Sequence, residues 1–302
     1  MLDIIGHKQV TDFFAKVIEN DNLSHAYCFT GPKSVGKLKV AQHLAAQILN
    51  IAEDKLFSSP DFILVEQIIK EKTGKLSKDI GVEQIRKSIS FLNRSSFSKD
   101  GYKVAIIDRA DLLNISASNA FLKTLEEPRS KTILFLIVED DNKLLATIRS
   151  RCQTIHFSLV ANDDMKSYLE TLSLSEEKKN IILKQSCGLA GLAVQLATDE
   201  EFYKNYFEEV TRFNNIFGKY FYEKLQLVED LFGDKTDHIQ ARNNLIRVLN
   251  IWQMQLHLLL KENSINKKLF LNIYNSIKQA NKLLLQNVHP RLLVENILLQ
   301  II

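Results

Sequence analysis

The sequence predicts an α/β fold in its first half, with a parallel sheet and flanking helices, followed by an all-helical second half. Three observations support this prediction. Short apolar runs alternate with helical patterns up to about residue 160, the strand pattern then stops, and from residue 201 onward the apolar spacing is helical. Apolar runs with little alternation are typical of strands that are covered by helices on both faces.

Five apolar runs are predicted strands, each expected to be buried on both faces. They are residues 26–30, 61–65, 103–108, 132–138 and 154–157. A length of 302 residues allows two or three domains, and 45% hydrophobic with 25% charged residues is ordinary for a soluble globular protein. The formal net charge of +3 is too small to establish a nucleic-acid partner by itself.

The cysteines, the first ten residues and the longest apolar run indicate in which cellular compartment the protein is expected. Cys28, Cys152 and Cys187 are far apart and form no C-x-x-C pair, which argues against a zinc site or a disulfide framework and for a reducing compartment. The first ten residues are too polar for a signal peptide, and the longest apolar run, "TILFLIV", is too short to span a membrane. We therefore expect a cytoplasmic protein without a membrane contact.

The second half begins with a small helical unit. Ser173 and Glu176 form an S-x-x-E capping box, and the helix they predict ends near Gly188. A second short helix follows. Residues 161–200 are therefore predicted to form a small two-helix unit of the size of a lid domain.

The last hundred residues form longer helices. Apolar residues recur at spacings of three and four from Leu245 to Leu256, and Pro290 suits the first turn of a final helix. The terminal "LLVENILLQII" is apolar enough to need a partner surface, which either the same chain or another could provide.

The stretch "GPKSVGKLK", residues 31–39, matches G-x-x-x-x-G-K between a predicted strand and a predicted helix. In such a loop Gly31 and Gly36 let backbone N–H groups surround a phosphate, and Lys37 reaches the outer phosphates of a nucleotide. The next residue, which supplies a hydroxyl to Mg²⁺ in a working site, is Leu38. Leucine has no oxygen to donate, so Mg²⁺ would be poorly held.

A second altered position follows the third predicted strand. Asp108 resembles the carboxylate that holds Mg²⁺ through water, but the residue after it, where many ATPases have glutamate, is Arg109. A guanidinium stays protonated near neutral pH and cannot serve as a general base. Two independent parts of the machinery are thus changed, which indicates a lapsed nucleotide site.

Two longer segments carry a family resemblance. With "IIDRADLLNISASNAFLKTLEEP" at 106–128 and "LLATIRSRCQTIHF" at 144–157, the chain resembles the bacterial clamp-loader AAA+ subunits of the replicative DNA polymerase III holoenzyme. The resemblance extends from "IIGHKQV" to "NVHPRLLVENILLQ". It implies a RecA-like nucleotide-binding core at 1–160, a helical lid at 161–200 and a helical collar at 201–302.

The resemblance also implies partners and one catalytic residue. The partners would be ATP-hydrolysing gamma/tau subunits, the delta subunit, the sliding clamp and primed DNA. In the Ser-Arg-Cys triplet, Arg151 would enter the ATP site of a neighbouring subunit as an arginine finger. The alternative is an ordinary surface arginine, and Arg149 lies close by.

Departures from the ATP-hydrolysing members favour one subunit type. Val138-Glu139 stands where a sensor Thr or Asn follows the fourth strand, and Leu192 stands at the sensor arginine of G-x-x-G-R-A. With Leu38 and Arg109, four elements of hydrolysis in the same chain are missing, whereas Arg151 is retained. The resemblance thus implies a non-hydrolysing, delta-prime-type subunit without intrinsic ATPase, and the alternatives are an active gamma/tau-type subunit and a scaffold.

Cofactor expectations follow from the same comparison. No cofactor is required, although residual ATP or ADP binding at Gly31, Gly36, Lys37 and Asp108 stays open. Many relatives carry a four-cysteine zinc module after the P-loop helix, but "LNIAEDKLFSSPDF" has no cysteine and is too short for it, so zinc is not expected.

Overall fold

The computed structural model of the chain describes residues 4–70, 75–77, 79–98, 101–128, 131–232, 238–284, 286 and 288–301. The chain packs as two compact units. The first contains Met1–Ser173 and Gly188–Leu192, and the second contains Leu174–Cys187 and Ala193–Ile302. This division is coarser than the three predicted domains, whose boundaries stay predictions.

The first unit is built on a five-stranded parallel sheet, which confirms the predicted α/β class. Its strands are β1 (Ala26–Thr30), β2 (Phe62–Val65), β5 (Lys103–Ile107), β6 (Thr132–Val138) and β7 (Gln153–His156). They lie in the order β2-β5-β6-β1-β7, and every pair is parallel. A separate antiparallel hairpin of β3 (Ile69–Lys70) and β4 (Lys75–Leu76) was not predicted.

Burial differs between interior and edge strands of this sheet. The strands β1 and β5 are buried along their whole length, and β6 is buried after its first residue, as predicted. The edge strands β2 and β7 are only half-buried, so the prediction that all five are covered on both faces was wrong for these two. An edge strand has a neighbour on one side only, and apolar content alone does not reveal sheet position.

Helices cover both faces of the sheet. Those of the first unit are α1 (Lys8–Glu19), α2 (Lys37–Leu49), α3 (Val82–Leu92), α4 (Ile115–Glu126), α5 (Ala146–Arg149) and α6 (Asn162–Glu170). On one face α1 and α2 pack over β1 and β6, where the rings of Phe14, Phe29 and Phe135 lie within 5.1–6.0 Å of one another. On the other face α3 and α4 bury Ile85 and Phe121. Each such buried side chain contributes about 1.5–3 kcal/mol.

The second unit is helical. Its helices are α7 (Glu176–Ser186), most of α8 (Ala190–Thr198), α9 (Glu200–Ile216), α10 (Phe221–Val228), α11 (His238–Lys261), α12 (Lys267–Leu284) and α13 (Pro290–Gln300). Its core contains Trp252, whose ring lies 5.3 Å from that of Phe213. On the same helix Leu245, Leu249 and Leu256 are buried, as their spacing predicts. Within the described residues, no helix is both long and apolar enough to cross a bilayer.

The ends of two helices test local predictions. The capping residue of α7 is Ser175, whose Oγ accepts a hydrogen bond from the Lys178 N–H, so the capping box predicted at Ser173 was wrong by two residues. Ser175 has the extended backbone that an N-cap requires. As predicted, Pro290 is the first residue of α13.

The apolar C-terminal segment packs within its own unit. On α13, Leu293, Val294, Ile297 and Leu298 are buried in the core of the second unit. The partner surface that the sequence required is therefore largely intramolecular. Leu292 and Leu299, on the other side of the helix, remain exposed.

Candidate functional site

The predicted nucleotide site lies at the carboxyl ends of the central strands. Thr30 at the end of β1 pairs in register with Val138 at the end of β6, and Asp108 directly follows β5. The loop after β1, Asp108 and Glu139 together line an open cleft of about 250 Å³. Ligands of parallel α/β sheets bind at this edge, because the loops and helix N-termini converge there. Of the predicted residues, Gly36, Lys37 and Asp108 line the cleft.

Lys37 is engaged by its own loop. Its side chain is buried, and Nζ donates to the carbonyl oxygens of Gly31 at 2.6 Å and Pro32 at 2.7 Å. Burial lowers the pKa of Lys37, while the carboxylates of Glu139 and Asp108 act in the opposite direction. The ammonium that would reach the outer phosphates is thus already hydrogen-bonded to the polypeptide.

The loop glycines have structural reasons of their own. Gly31 has φ +148°, and a Cβ there would lie 2.3 Å from the carbonyl oxygen of Phe157. Gly36 has φ +114°, a conformation that side-chain-bearing residues rarely adopt. The carbonyl of Ser34 accepts a hydrogen bond from the Gly191 N–H at 2.7 Å. Contacts within the first unit therefore stabilise the conformation of this loop.

Leu38 packs against the hydrophobic core of the first unit. It occupies the first turn of α2, is half-buried and packs against the apolar cluster around β1. Its position is the one where a hydroxyl would ligate Mg²⁺, and its contacts are those of a hydrophobic residue.

The residues after β5 place a cation at the rim of the cleft. Burial raises the pKa of the Asp108 carboxyl, and the backbone N–H and the charge of Arg109 oppose this effect. Arg109 has a left-handed backbone with φ +55° and lines the cleft. Among the described residues, its buried Nε and the buried Oδ1 of Asp111 have no hydrogen-bond partner. Asp111 also lines the cleft, although no sequence motif marks this residue.

The two sensor positions supply no polar group to a phosphate. Val138 is buried at the end of β6, and Leu192 is buried in α8. Glu139 lines the cleft with its carboxylate 3.9 Å from Lys143 Nζ. A magnesium nucleotide needs oxygen ligands for the ion and donors for the phosphates. Leu38 offers no oxygen to the ion, whereas Lys37 and the carboxylates of Asp108 and Glu139 line the cleft.

Arg151 lies outside the described lining of this cleft. Its Nη2 donates to Glu126 Oε1 at 2.7 Å, and its Nη1 donates to the Thr147 carbonyl at 2.8 Å. The side chain is 33% exposed. Nearby, Arg149 Nη1 donates to Asn142 Oδ1 at 2.6 Å and is thus held within its own loop. The structure therefore separates Arg151 from the residues predicted for nucleotide binding.

Two contacts of the site were missed by sequence reasoning. His7 Nε2 donates to the Val35 carbonyl at 2.8 Å, and its ring packs edge-on against Phe157 at 4.8 Å, so the start of α1 supports the loop. Glu126 holds Arg151. Both residues lay in quoted segments, "IIGHKQV" and "NAFLKTLEEP". Their partners are 28 and 25 residues away in sequence, and no short-range pattern reports such a pairing.

Comparison with known proteins finds similarity to subunits of DNA polymerase III. Residues 6–161 match the family described as DNA polymerase III, delta subunit. The chain is 34% identical to DNA polymerase III subunit delta' of Pseudomonas aeruginosa over 43% of this chain and 42% of the relative. It is 31% identical to DNA polymerase III subunit tau of Bacillus subtilis over 53% of this chain and 29% of the relative. The matches thus span less than half the length of these curated relatives.

One solved structure covers almost the whole chain. A DNA polymerase III gamma subunit-related protein of Thermotoga maritima aligns with 95% of this chain and 97% of its own, with a TM-score of 0.57. The sequence identity is 16%, so this likeness concerns the fold alone. It supports the predicted AAA+ architecture, in which helices follow a parallel α/β core.

Proposed function

The chain belongs to the DNA polymerase III, delta subunit family, and we propose that it is a non-hydrolysing, delta-prime-type subunit of a clamp loader. In this role it lends Arg151 to the ATP site of a neighbouring gamma/tau-type subunit. The same assembly, with a delta subunit, opens a sliding clamp and places it on primed DNA. One contrast carries the proposal. The cleft lacks the hydroxyl for Mg²⁺ and the general base, whereas Arg151 is retained with a partly exposed side chain.

The cleft supports the non-hydrolysing part of the proposal. Leu38 offers no oxygen to Mg²⁺, and Arg109 stands where a general base would act. The ammonium of Lys37 donates to two carbonyls of its own loop, so a phosphate would have to compete with them. The missing hydroxyl weakens Mg²⁺ binding and the guanidinium cannot activate water, and both changes act against hydrolysis in this cleft.

The position of Arg151 supports the part of the proposal that concerns a neighbour. A guanidinium remains charged at any physiological pH and stabilises negative charge that develops on a transferring phosphoryl group. Arg151 has five N–H donors, and its three hydrogen bonds to Glu126 Oε1, the Thr147 carbonyl and Ser150 Oγ leave others for a phosphate. Its side chain is accessible enough to meet a neighbouring subunit.

The test is a reconstituted loader in which this chain carries Arg151→Ala. We expect a loss of roughly 10³-fold or more at the one site that Arg151 serves. The DNA-stimulated ATP turnover of the whole loader then falls by at least the share of that site. Arg149→Ala is the matched control, because this arginine is two residues away and pairs within its own loop. Equal turnover of the Arg151→Ala and wild-type loaders would refute the finger role.

A second candidate is an ATP-hydrolysing subunit of the gamma/tau type. It is favoured by the identity to a tau subunit and by the retained Gly31, Gly36 and Lys37. Such a subunit would need Lys37 for turnover of its own, whereas a delta-prime-type subunit would not. A pure scaffold, the third alternative, would assemble normally and respond to neither Lys37 nor Arg151 variants.

A further inference from the structure

The guanidinium of Arg151 is held by a carboxylate whose position in the fold is unusual. Glu126 is the last residue of α4, where the helix presents unpaired carbonyl groups and a partial negative charge. A carboxylate at that end of a helix is electrostatically unfavourable unless a cation accompanies it. Arg151 Nη2 lies 2.7 Å from Glu126 Oε1 and supplies that cation.

A second acceptor fixes the other arm of the guanidinium. Arg151 Nη1 donates at 2.8 Å to the carbonyl of Thr147, in the single turn of α5. Arg151 itself follows that helix, and its N–H donates to the Ile148 carbonyl at 3.1 Å. The guanidinium is therefore tied to two elements, the end of α4 and the turn of α5, which removes much of the rotational freedom of a long side chain.

The geometry points to Glu126 as the residue that positions Arg151 for its neighbour's ATP, and we propose this role for it. The inference rests on the proposed function. Glu126 is 50% and Arg151 is 33% exposed, so both charges stay partly solvated and their pairing is weak enough to be adjusted when a phosphate arrives. Because Glu126 contacts the guanidinium of Arg151 and lies outside the described lining of the cleft, it is a positioning residue that acts through Arg151.

The next residue provides a matched control. Glu127 is also an exposed glutamate, but it has left the helical conformation, with φ −124°, and precedes Pro128. In the described part of the chain its side chain makes no hydrogen bond or ion pair. Glu126→Gln and Glu127→Gln therefore remove the same charge from adjacent positions, and only the first weakens the contact with Arg151.

The experiment measures ATP turnover of the reconstituted loader with primed DNA for wild type, Glu126→Gln, Glu127→Gln, Arg151→Ala and the Glu126→Gln/Arg151→Ala double variant. The turnover that Arg151→Ala removes defines the part that depends on Arg151. We expect Glu126→Gln to lower the kcat of that part about two- to fivefold, with the KM for ATP unchanged, since exposed ion pairs have effects of this size. Glu127→Gln leaves it unchanged.

Three further readouts separate positioning from a structural effect. In the Arg151→Ala background Glu126→Gln has no additional effect, and the difference between wild type and Glu126→Gln shrinks as salt rises, because screening weakens the pair. The thermal midpoint of the isolated chain is the same for both glutamine variants.

The outcomes distinguish this inference from the proposed function. If Arg151→Ala lowers turnover but Glu126→Gln leaves the Arg151-dependent part unchanged or raises it, the positioning role is wrong and the finger stands. An equal loss from Glu126→Gln with and without Arg151 also overturns the positioning role. If Arg151→Ala removes no turnover, the finger and the positioning role both fail.

Discussion

At the scale of single residues, the functional groups that the cleft lacks were predictable from the sequence, whereas the hydrogen-bond partners of its side chains were not. The absence of an oxygen at Leu38 follows from the letter alone, and its contacts in the structure are those of a core residue. The bonds from Lys37 to Gly31 and Pro32 depend on how the loop folds back, which no motif encodes. The pairing of Glu126 with Arg151 likewise required the packing of two helices.

Gly31 gives a prediction at this scale, since the residue is needed by the fold whether or not a phosphate binds. In Gly31→Ala the new Cβ meets the Phe157 carbonyl at 2.3 Å and the backbone keeps a strained φ of +148°. We expect a loss of about 2–4 kcal/mol in the free energy of unfolding. Gly36→Ala has φ strain but no contact closer than 3.7 Å, so its loss is about 1–2 kcal/mol.

Urea unfolding followed by far-UV circular dichroism measures both Gly31→Ala and Gly36→Ala. Fluorescence is unsuitable, because the single tryptophan, Trp252, lies in the second unit. A Gly31→Ala chain as stable as wild type would contradict the close approach of Phe157.

At the scale of elements, the apolar pattern predicted the burial of the interior strands but did not distinguish the edge strands from them. The interior strands β1, β5 and β6 read as continuous apolar runs because helices cover both their faces. The edge strands β2 and β7 have similar runs, and strand order is a tertiary property that their sequences do not contain. The start of α7 shifted from Ser173 to Ser175, since two serines lie close together and only the backbone conformation selects one.

A buried ion pair at the edge of the sheet provides the prediction for elements. Lys103 in β5 and Asp61 before β2 are 5% and 8% exposed, with Nζ 3.0 Å from Oδ1. The same carboxylate accepts the Phe97 N–H, and Lys103 Nζ lies 4.1 Å from the centre of the Phe91 ring. The pair therefore links β2, β5 and the segment after α3.

Removing one partner of this pair should be costly. Lys103→Met leaves Asp61 buried without its cation, and we expect a loss of about 3–5 kcal/mol in unfolding free energy. The control is Arg86→Ala, which breaks an exposed pair with Glu83 and should cost no more than about 0.5 kcal/mol. Equal urea midpoints for the two variants would show that the Lys103–Asp61 pair contributes no more than a surface pair.

At the scale of the whole molecule, the class of fold and the family were predictable, and the three domain boundaries stay predictions. Strand and helix patterns gave the α/β core and the helical remainder, and the segments around residues 106–157 identified the family. Gly188–Leu192 packs with the first unit although Leu174–Cys187 before it packs with the second, and no local sequence pattern indicates this return of the chain. The proposed role of Arg151 concerns the ATP site of a neighbouring subunit.

The most direct test of that role compares two variants in one assay. Loaders of identical subunit composition, containing wild-type, Lys37→Ala or Arg151→Ala chain, are assayed for ATP turnover with clamp and primed DNA. If Arg151 acts on a neighbouring site, the Lys37→Ala loader turns over ATP at the wild-type rate, whereas the Arg151→Ala loader loses at least the share of one site. Loss of turnover in Lys37→Ala, with Arg151→Ala at the wild-type rate, would contradict that role.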